Sequence, residues 1–280
     1  MEEPYADTNA ETLLSSFLAL NHLTAIAHRG GSALRPENTI AAFDHAVSLG
    51  VDAIECDVHL SRDGEVVVIH DPALDRTTGA SGPVAGRTAA ELARVDAGFH
   101  FGASEGFPFR GRGVGVPTLD EVLGRYPGQP VVVEIKGERP ETAERTLAVI
   151  RRHHAETRVI LGGFNHAVVD TIRRAVPGLI TSASSLEVRR ALTRSYFLMS
   201  PRRPAFQLFH MPFRLRGHQI FGRLFVRAAR RAGLPVHAWI VDDPAEMRRL
   251  IGWGVTGIIS DRPDRAMEVT RKLASRRVGE

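Results

Sequence analysis

The 280 residues carry 36 basic and 32 acidic side chains and are 43% apolar, a chain long for two small domains and ordinary for one α/β barrel with a sizeable core. The single cysteine, Cys56, excludes an internal disulfide and suits a reducing compartment, while the modest net charge of +4 gives little reason to expect nucleic-acid binding. No apolar run is long enough to span a membrane, and Met1-Glu2-Glu3-Pro4 is acidic where a secretory leader is basic, so a cytoplasmic protein without a transmembrane segment is expected.

In chain order, residues 1–23 read as an N-terminal extension. The first β-type run, 24–28, ends on His28, with Arg29 next. A helix is expected over 38–49, stopped by Gly50. The second run, 52–58, carries Glu55 and Asp57, which lie two apart and so share one face of a strand, with Cys56 on the other. A third run, 65–70, ends on His70. Asp63-Gly64 leaves no room for the helical crossover a parallel neighbour needs, so 59–70 is a hairpin excursion of the second strand. Residues 72–116 are rich in glycine, carry Phe99, Phe101, Phe107 and Phe109, and show no clear strand or long helix. Such a stretch is an insertion whose aromatics either cover a pocket or anchor the loop to the body of the protein.

From 118 onward helices and strands alternate. Helices are expected at 118–126, 141–154, 166–176, 185–194, 219–232, 243–253 and 263–276; strands are expected at 131–135, 158–163, 179–183, 205–209, 236–241 and 256–260. Thr118 and Glu121 form a capping-box pair, and Gly233 and Gly254 are C-terminal stops. With the hairpin set aside, eight strands and eight helices make a TIM (β/α)8 barrel over 24–276, with a small insertion after strand 2 and a tail of 277–280. From Tyr196 to Arg230 aromatics and arginines alternate, a pattern of barrel core on one side and solvent on the other, with contact to an anionic bilayer as the alternative.

Strand interiors favour Val and Ile, so ionisable groups at the ends of such runs face a mouth where ligand and water meet. Glu55, Asp57 and Glu134 offer hard oxygen ligands, which suit Mg²⁺ or Ca²⁺ rather than zinc. Arg29 and Lys136 stand beside them, as an anionic phosphoester substrate requires. His28 and His70 are the natural pair for taking a proton from a nucleophile and returning one to a leaving alkoxide.

These residues also carry a resemblance. His28-Arg29-Gly30, Pro36-Glu37-Asn38-Thr39, Glu55-Cys56-Asp57-Val58, His70-Asp71, Pro117-Thr118-Leu119, Glu134-Ile135-Lys136, His237-Ala238-Trp239 and a closing Ser260-Asp261-Arg262-Pro263 occur in order, and the pattern is similar to that of the glycerophosphodiester phosphodiesterase family over roughly residues 24 to 270. The resemblance implies a metal-dependent hydrolase on a TIM barrel. It would cleave glycerophosphodiesters such as glycerophosphocholine or glycerophosphoethanolamine to sn-glycerol 3-phosphate and an alcohol. It assigns His28 and His70 as the acid–base pair, Glu55, Asp57 and Glu134 as ligands of one divalent cation, and Arg29 and Lys136 as phosphate contacts. Trp239 is then expected to line the glycerol pocket, and Glu37, Phe164 and Gln207 complete the expected substrate-binding set.

Two departures concern the alcohol group. Trp239-Ile240-Val241-Asp242-Asp243 stands where the family pattern has Trp-Thr-Val-Asn-Asp, and Phe206-Gln207-Leu208-Phe209-His210-Met211-Pro212 is bulky for a plain glycerol pocket. Lysophospholipids and glycerophosphoinositol therefore stay open as substrates, as does a non-catalytic phosphodiester-binding barrel. Peripheral membrane contact and oligomeric state also stay open.

Overall fold

A computed structural model describes residues 14–137, 139–202 and 204–278, the side chains of 276–278 excepted. Seven parallel strands form the wall of a barrel: β1 (Thr24–Ala27), β2 (Ala53–Leu60), β4 (Val131–Ile135), β5 (Val159–Gly163), β6 (Phe209–Pro212), β9 (Val236–Trp239) and β10 (Gly257–Ser260). They run side by side in the order β5-β4-β2-β1-β10-β9-β6. The expected hairpin is present, with β3 (Val66–Val68) antiparallel on β2 and Val58 opposite Val68. Helices follow the strands on the outside, among them Ile40–Ser48, Leu119–Arg125, Pro140–Arg152 and Pro244–Trp253. Thr118 and Glu121 form the capping box at the start of one of them, and Gly254 ends another at φ 102°.

The eighth stave differs from expectation. Residues 179–183 form no strand; Thr181 bridges to Leu161 of β5, and Ser182 bridges to Leu208 just ahead of β6. The reason is a substituted hydrogen bond: the Thr181 amide donates to Gln207 Oε1 at 2.9 Å, not to a neighbouring backbone carbonyl. The ladder of the next strand accordingly starts at Phe209, not at 205. A second difference lies between Phe213 and Arg223. Here β7 (Arg214–Leu215) and β8 (His218–Gln219) make a hairpin whose turn residues Arg216 and Gly217 are both left-handed, so the helix expected from 219 begins at Arg223. The last helix runs to Val278; residues 279–280 of the expected tail and 1–13 of the expected extension lie outside the described residues.

Alternation along the strands divides the core. One face, with Cys56, Val58, Val133 and Phe209, packs under the helices. The other fills the barrel with Ile26, Ala53, Val132, Ile160, Leu208 and Ile259, and Leu14 and Phe17 from the helical residues 14–18 join that cluster. Residues 72–116 have a small core of their own, in which Val67 and Ile69 meet Leu74, Val84, Leu92, Val95 and Val116. The insertion's aromatics pack on one another: Phe101 meets Phe109 edge-on, and the Arg110 guanidinium lies 4.0 Å from the Phe99 ring centre and 3.7 Å from that of Phe107. None of the four lines the cavity described below, so they anchor the insertion.

Phe17 is 2% exposed, and its ring meets His237 at 6.1 Å. Phe17→Ala is expected to lower stability by about 3–5 kcal/mol, the usual cost of an emptied aromatic site. Urea unfolding followed by circular dichroism checks this; an unchanged midpoint would show that the barrel stands without its N-terminal stopper.

Candidate active site

A cavity of about 570 Å³ opens at the carboxyl ends of the barrel strands, lined by His28, Arg29, Glu55, Asp57, His70, Glu134 and Lys136, with Phe164 and Trp239 beside them. Each arrives there for a local reason. His28 directly follows β1 and opens a 3₁₀ turn, His28–Gly30, in which Arg29 is left-handed at φ 51°. Gly30, at φ 82°, lies so close to the following helix that a Cβ would stand 2.7 Å from that of Ala42. Only glycine lets this turn sit against the helix. Glu55 and Asp57 project inward from β2, and β4 sets Glu134 directly beside Asp57. Cys56 faces the outer core, as strand alternation requires.

Glu55, Asp57 and Glu134 each present an oxygen within 4.8 Å of the others, a set that can hold a metal ion. Glu55 and Asp57 are buried. Burial and the adjacent Asp57 charge push the Glu55 carboxyl up to about 8. Burial would do the same to Asp57, but the Lys136 and Arg29 charges win and hold it below the usual carboxylate range. Lys136 Nζ lies 2.9 Å from Asp57 Oδ1 and also bonds Glu134 Oε1. The Arg29 amide donates to Glu55 Oε2 at 2.8 Å. Its guanidinium Nε is 3.1 Å from Asp57 Oδ2 but is not aligned for a hydrogen bond. The donor set is all oxygen, it is crowded, and burial and the neighbouring charge drive one member toward its protonated form; these are the features of a hard-cation site.

Both histidines are backed by a carboxylate. His28 Nδ1 lies 2.6 Å from Asp261 Oδ1, and His70 Nδ1 lies 2.5 Å from Asp71 Oδ1. Burial disfavours a charged His28, yet the Asp261 hydrogen bond and the Glu55 charge outweigh it and raise its pKa above the ordinary imidazole value. Asp261 is itself oriented, since Asp242 Oδ1 accepts from the Asp261 amide at 2.9 Å and from Ser260 Oγ at 2.7 Å.

Two expected substrate residues fall elsewhere. Glu37 does not line the cavity; it bonds Arg29 at 2.9 Å and takes two hydrogen bonds from Arg76, which also bonds Asp71. Gln207 is engaged with Thr181 in closing the barrel. Conversely, Asp261, Asp71 and Asn38 were not singled out from the sequence. Asn38, left-handed at φ 56°, donates to Asp57 Oδ2 at 2.9 Å. An aspartate next to a strand-end histidine, as in His70-Asp71, and an aspartate closing the last strand, as in Ser260-Asp261, were the available signals.

Comparison with known proteins agrees with this geometry. The model of the glycerophosphoryl diester phosphodiesterase family matches residues 28–265. The chain is 34% identical to a glycerophosphodiester phosphodiesterase of Caldanaerobacter subterraneus over 258 residues, 88% of this chain and 97% of that one. It superimposes with a TM-score of 0.75 and 28% identity on the crystal structure of a putative glycerophosphoryl diester phosphodiesterase from Silicibacter pomeroyi, covering 92% of this chain and 98% of the other. An Oleispira antarctica phosphodiesterase, crystallised with the product sn-glycerol-3-phosphate, gives 0.73 and 26% over 92% and 98% of the two chains. The barrel, the strand-end acids and histidines, and a match through nearly the whole barrel place this chain in the glycerophosphoryl diester phosphodiesterase family.

Proposed function

We propose that this enzyme hydrolyses glycerophosphodiesters, glycerophosphocholine and glycerophosphoethanolamine among them, to sn-glycerol 3-phosphate and an alcohol, with His28 and His70 exchanging protons with the substrate. The observation that carries the reading is two carboxylate-backed imidazoles in one cavity with three acids and two cations. The Oleispira antarctica relative holds the product that the reading assigns.

Glu55, Asp57 and Glu134 would hold Mg²⁺ or Ca²⁺, which when bound supplies Lewis-acid stabilisation of charge on the phosphoryl oxygens. Around that site the chain's own groups divide the work. Arg29 and Lys136, which line the cavity, bind the nonbridging oxygens and stabilise the negative charge that builds as phosphorus becomes five-coordinate. His70 is held by Asp71 at Nδ1, and in the neutral ring that gives its Nδ1–H to that carboxylate, Nε2 is the atom that takes the proton of the attacking hydroxyl. His28, whose raised pKa favours the imidazolium, donates its Nε2 proton to the departing alkoxide as the P–O bond breaks. Asp261 keeps that ring in one tautomer and one orientation. Phe164 and Trp239, edge-to-face at 6.1 Å, flank the pocket where the glycerol would lie.

One observation favours a second substrate. Val188, Leu192, Ile220 and Ile240 line one side of the cavity and contribute no polar side chain, which suits the acyl chain of a lysophospholipid. Among the described residues no helix is long and apolar enough to cross a membrane. A cytoplasmic site of action belongs to this reading, supported by the free, buried Cys56.

His28→Ala and His70→Ala are each expected to lower kcat by about 10² to 10⁴ while metal affinity is largely retained. Release of glycerol 3-phosphate from glycerophosphocholine, with calorimetric metal titration in parallel, checks both halves; near-normal turnover in either variant would remove that histidine from the mechanism. Glu55→Gln is expected to lose metal binding and activity together.

The sign of the metal's pH dependence follows from Glu55. Below about 8 the ion-free protein keeps this carboxyl protonated, and a cation needs its ionised form, so affinity rises with pH and binding releases about one proton near neutrality. Titration of Mg²⁺ or Ca²⁺ in buffers of different ionisation enthalpy measures that proton. Binding that is independent of pH from 6 to 8 would show that Glu55 is already ionised before the ion arrives.

A further inference from the structure

Three large apolar side chains stay exposed at the rim of the cavity, and each comes from a different segment: Phe164 after β5 at 52%, Leu215 on the β7–β8 hairpin at 56%, and Ile240 after β9 at 41%. Exposed apolar groups gathered at one mouth mark a surface made to be covered. The hairpin stands away from the barrel, with residues 214–219 all exposed and Arg216 at its turn.

Charge identifies what covers it. From Val188 to Val241 the sequence has eleven arginines and no acidic residue, which leaves 25 basic and 32 acidic side chains for the rest of the chain. Of the eleven, Arg189 lines the cavity and Arg214 and Arg216 stand on the hairpin at its rim, whereas Arg230 bonds Leu20 O and Gly254 O. Arg189, which lines the cavity, and Arg216 have no carboxylate partner among the described residues; Arg214 is held by Glu246 at 2.9 Å. The acids across the mouth are already engaged, Glu37 and Asp71 by Arg76 and Asp261 by His28. A second copy of the chain docked face to face would set one arginine-bearing rim against another, with the nearby acids already engaged.

We propose that the cavity rim docks on an anionic lipid bilayer, with Leu215, Ile240 and Phe164 entering the headgroup boundary and Arg189 and Arg216 meeting lipid phosphates, so that the active-site cavity opens into the interface. Apolar tips with adjacent arginines are the composition that binds such a surface, and long arginine side chains reach headgroups while their stems stay among apolar groups. The proposal concerns binding and stands whichever phosphodiester is cleaved. A second exposed apolar run, Tyr196 to Met199, provides an internal control. It ends the helix Ser185–Tyr196, whose first turns line the cavity and whose length carries the chain about 18 Å toward the opposite end of the barrel.

Vesicle flotation tests this with phosphatidylcholine vesicles, with and without phosphatidylserine, at low and high salt. The protein is expected to float with the anionic vesicles only and to be released by salt. Arg216→Glu should weaken binding about fivefold or more, from the loss of one surface cation, while turnover of glycerophosphocholine in solution stays at the wild-type level. Leu215→Asp should weaken binding further, and Phe197→Asp should leave it intact. Circular dichroism of each variant separates lost binding from lost folding. The proposal is overturned if the wild-type protein stays unbound at low salt. It is equally overturned if Phe197→Asp releases the protein while Leu215→Asp and Arg216→Glu do not, or if sedimentation shows a dimer that Leu215→Asp dissolves.

Discussion

Three carboxylates forced together at the ends of two neighbouring strands set the terms for everything around them. At the 4.8 Å that bounds their separation, each ionised pair would repel by about 3.5 kcal/mol at an effective dielectric constant of about 20. Three such pairs approach the whole net stability of a typical domain, about 5–15 kcal/mol. The fold therefore has to bring positive charge to the same place, and it does so with short-range sequence logic. Lys136 follows Glu134 by two residues, and Arg29 follows the strand next to β2. Even so, burial first and the Asp57 charge second push the Glu55 carboxyl up to about 8, beyond what the neighbouring cations offset.

The histidines depend on the same charge balance. His28 sits within reach of the Glu55 field and against Asp261, so burial fails to make it neutral. A contrasting pair lies in the same barrel. His210 lines the cavity and stacks on His237, with Nε2 2.9 Å from Nδ1 of its neighbour. Here no carboxylate offsets burial: it pushes His210 well below the ordinary imidazole range and His237 down to about 4. His28 and the His210–His237 pair are thus pushed in opposite directions, and the difference is the carboxylate behind His28.

What the sequence made legible follows from how local each signal is. Glu55 and Asp57 on one face with Cys56 on the other is a consequence of strand period alone, and the β2–β3 hairpin follows from Asp63-Gly64; both could be read without long-range information. The eighth stave could not, because the Thr181 amide is satisfied by a side chain 26 residues away, a substitution with no trace in hydrophobic periodicity. Asp261 lies 233 residues from His28, and only barrel closure, which pairs β1 with β10, brings them together. The aromatics of 72–116 fit either a lid or an anchor by composition, and packing around Arg110 decides between them. Gln207 belongs to the expected substrate-binding set, but its side-chain oxygen is taken by the Thr181 amide. Its side chain points along the barrel seam instead.

The interior also fixes where compensation can come from. Below the acids the barrel is filled by Ile26, Ala53, Val132, Ile160, Leu208 and Ile259 and stoppered by Phe17, and its two deepest imidazoles are held neutral. Among the described residues that apolar packing closes the lower end, so any further cation and the substrate enter through the mouth. A divalent cation that displaces one proton from Glu55 changes the charge of the site by +1, and a phosphodiester carries one negative charge. Each would therefore favour the other's binding, and an apolar floor, by keeping the local dielectric low, strengthens that coupling. On this argument the Phe17 stopper matters for the electrostatics of the site as well as for stability.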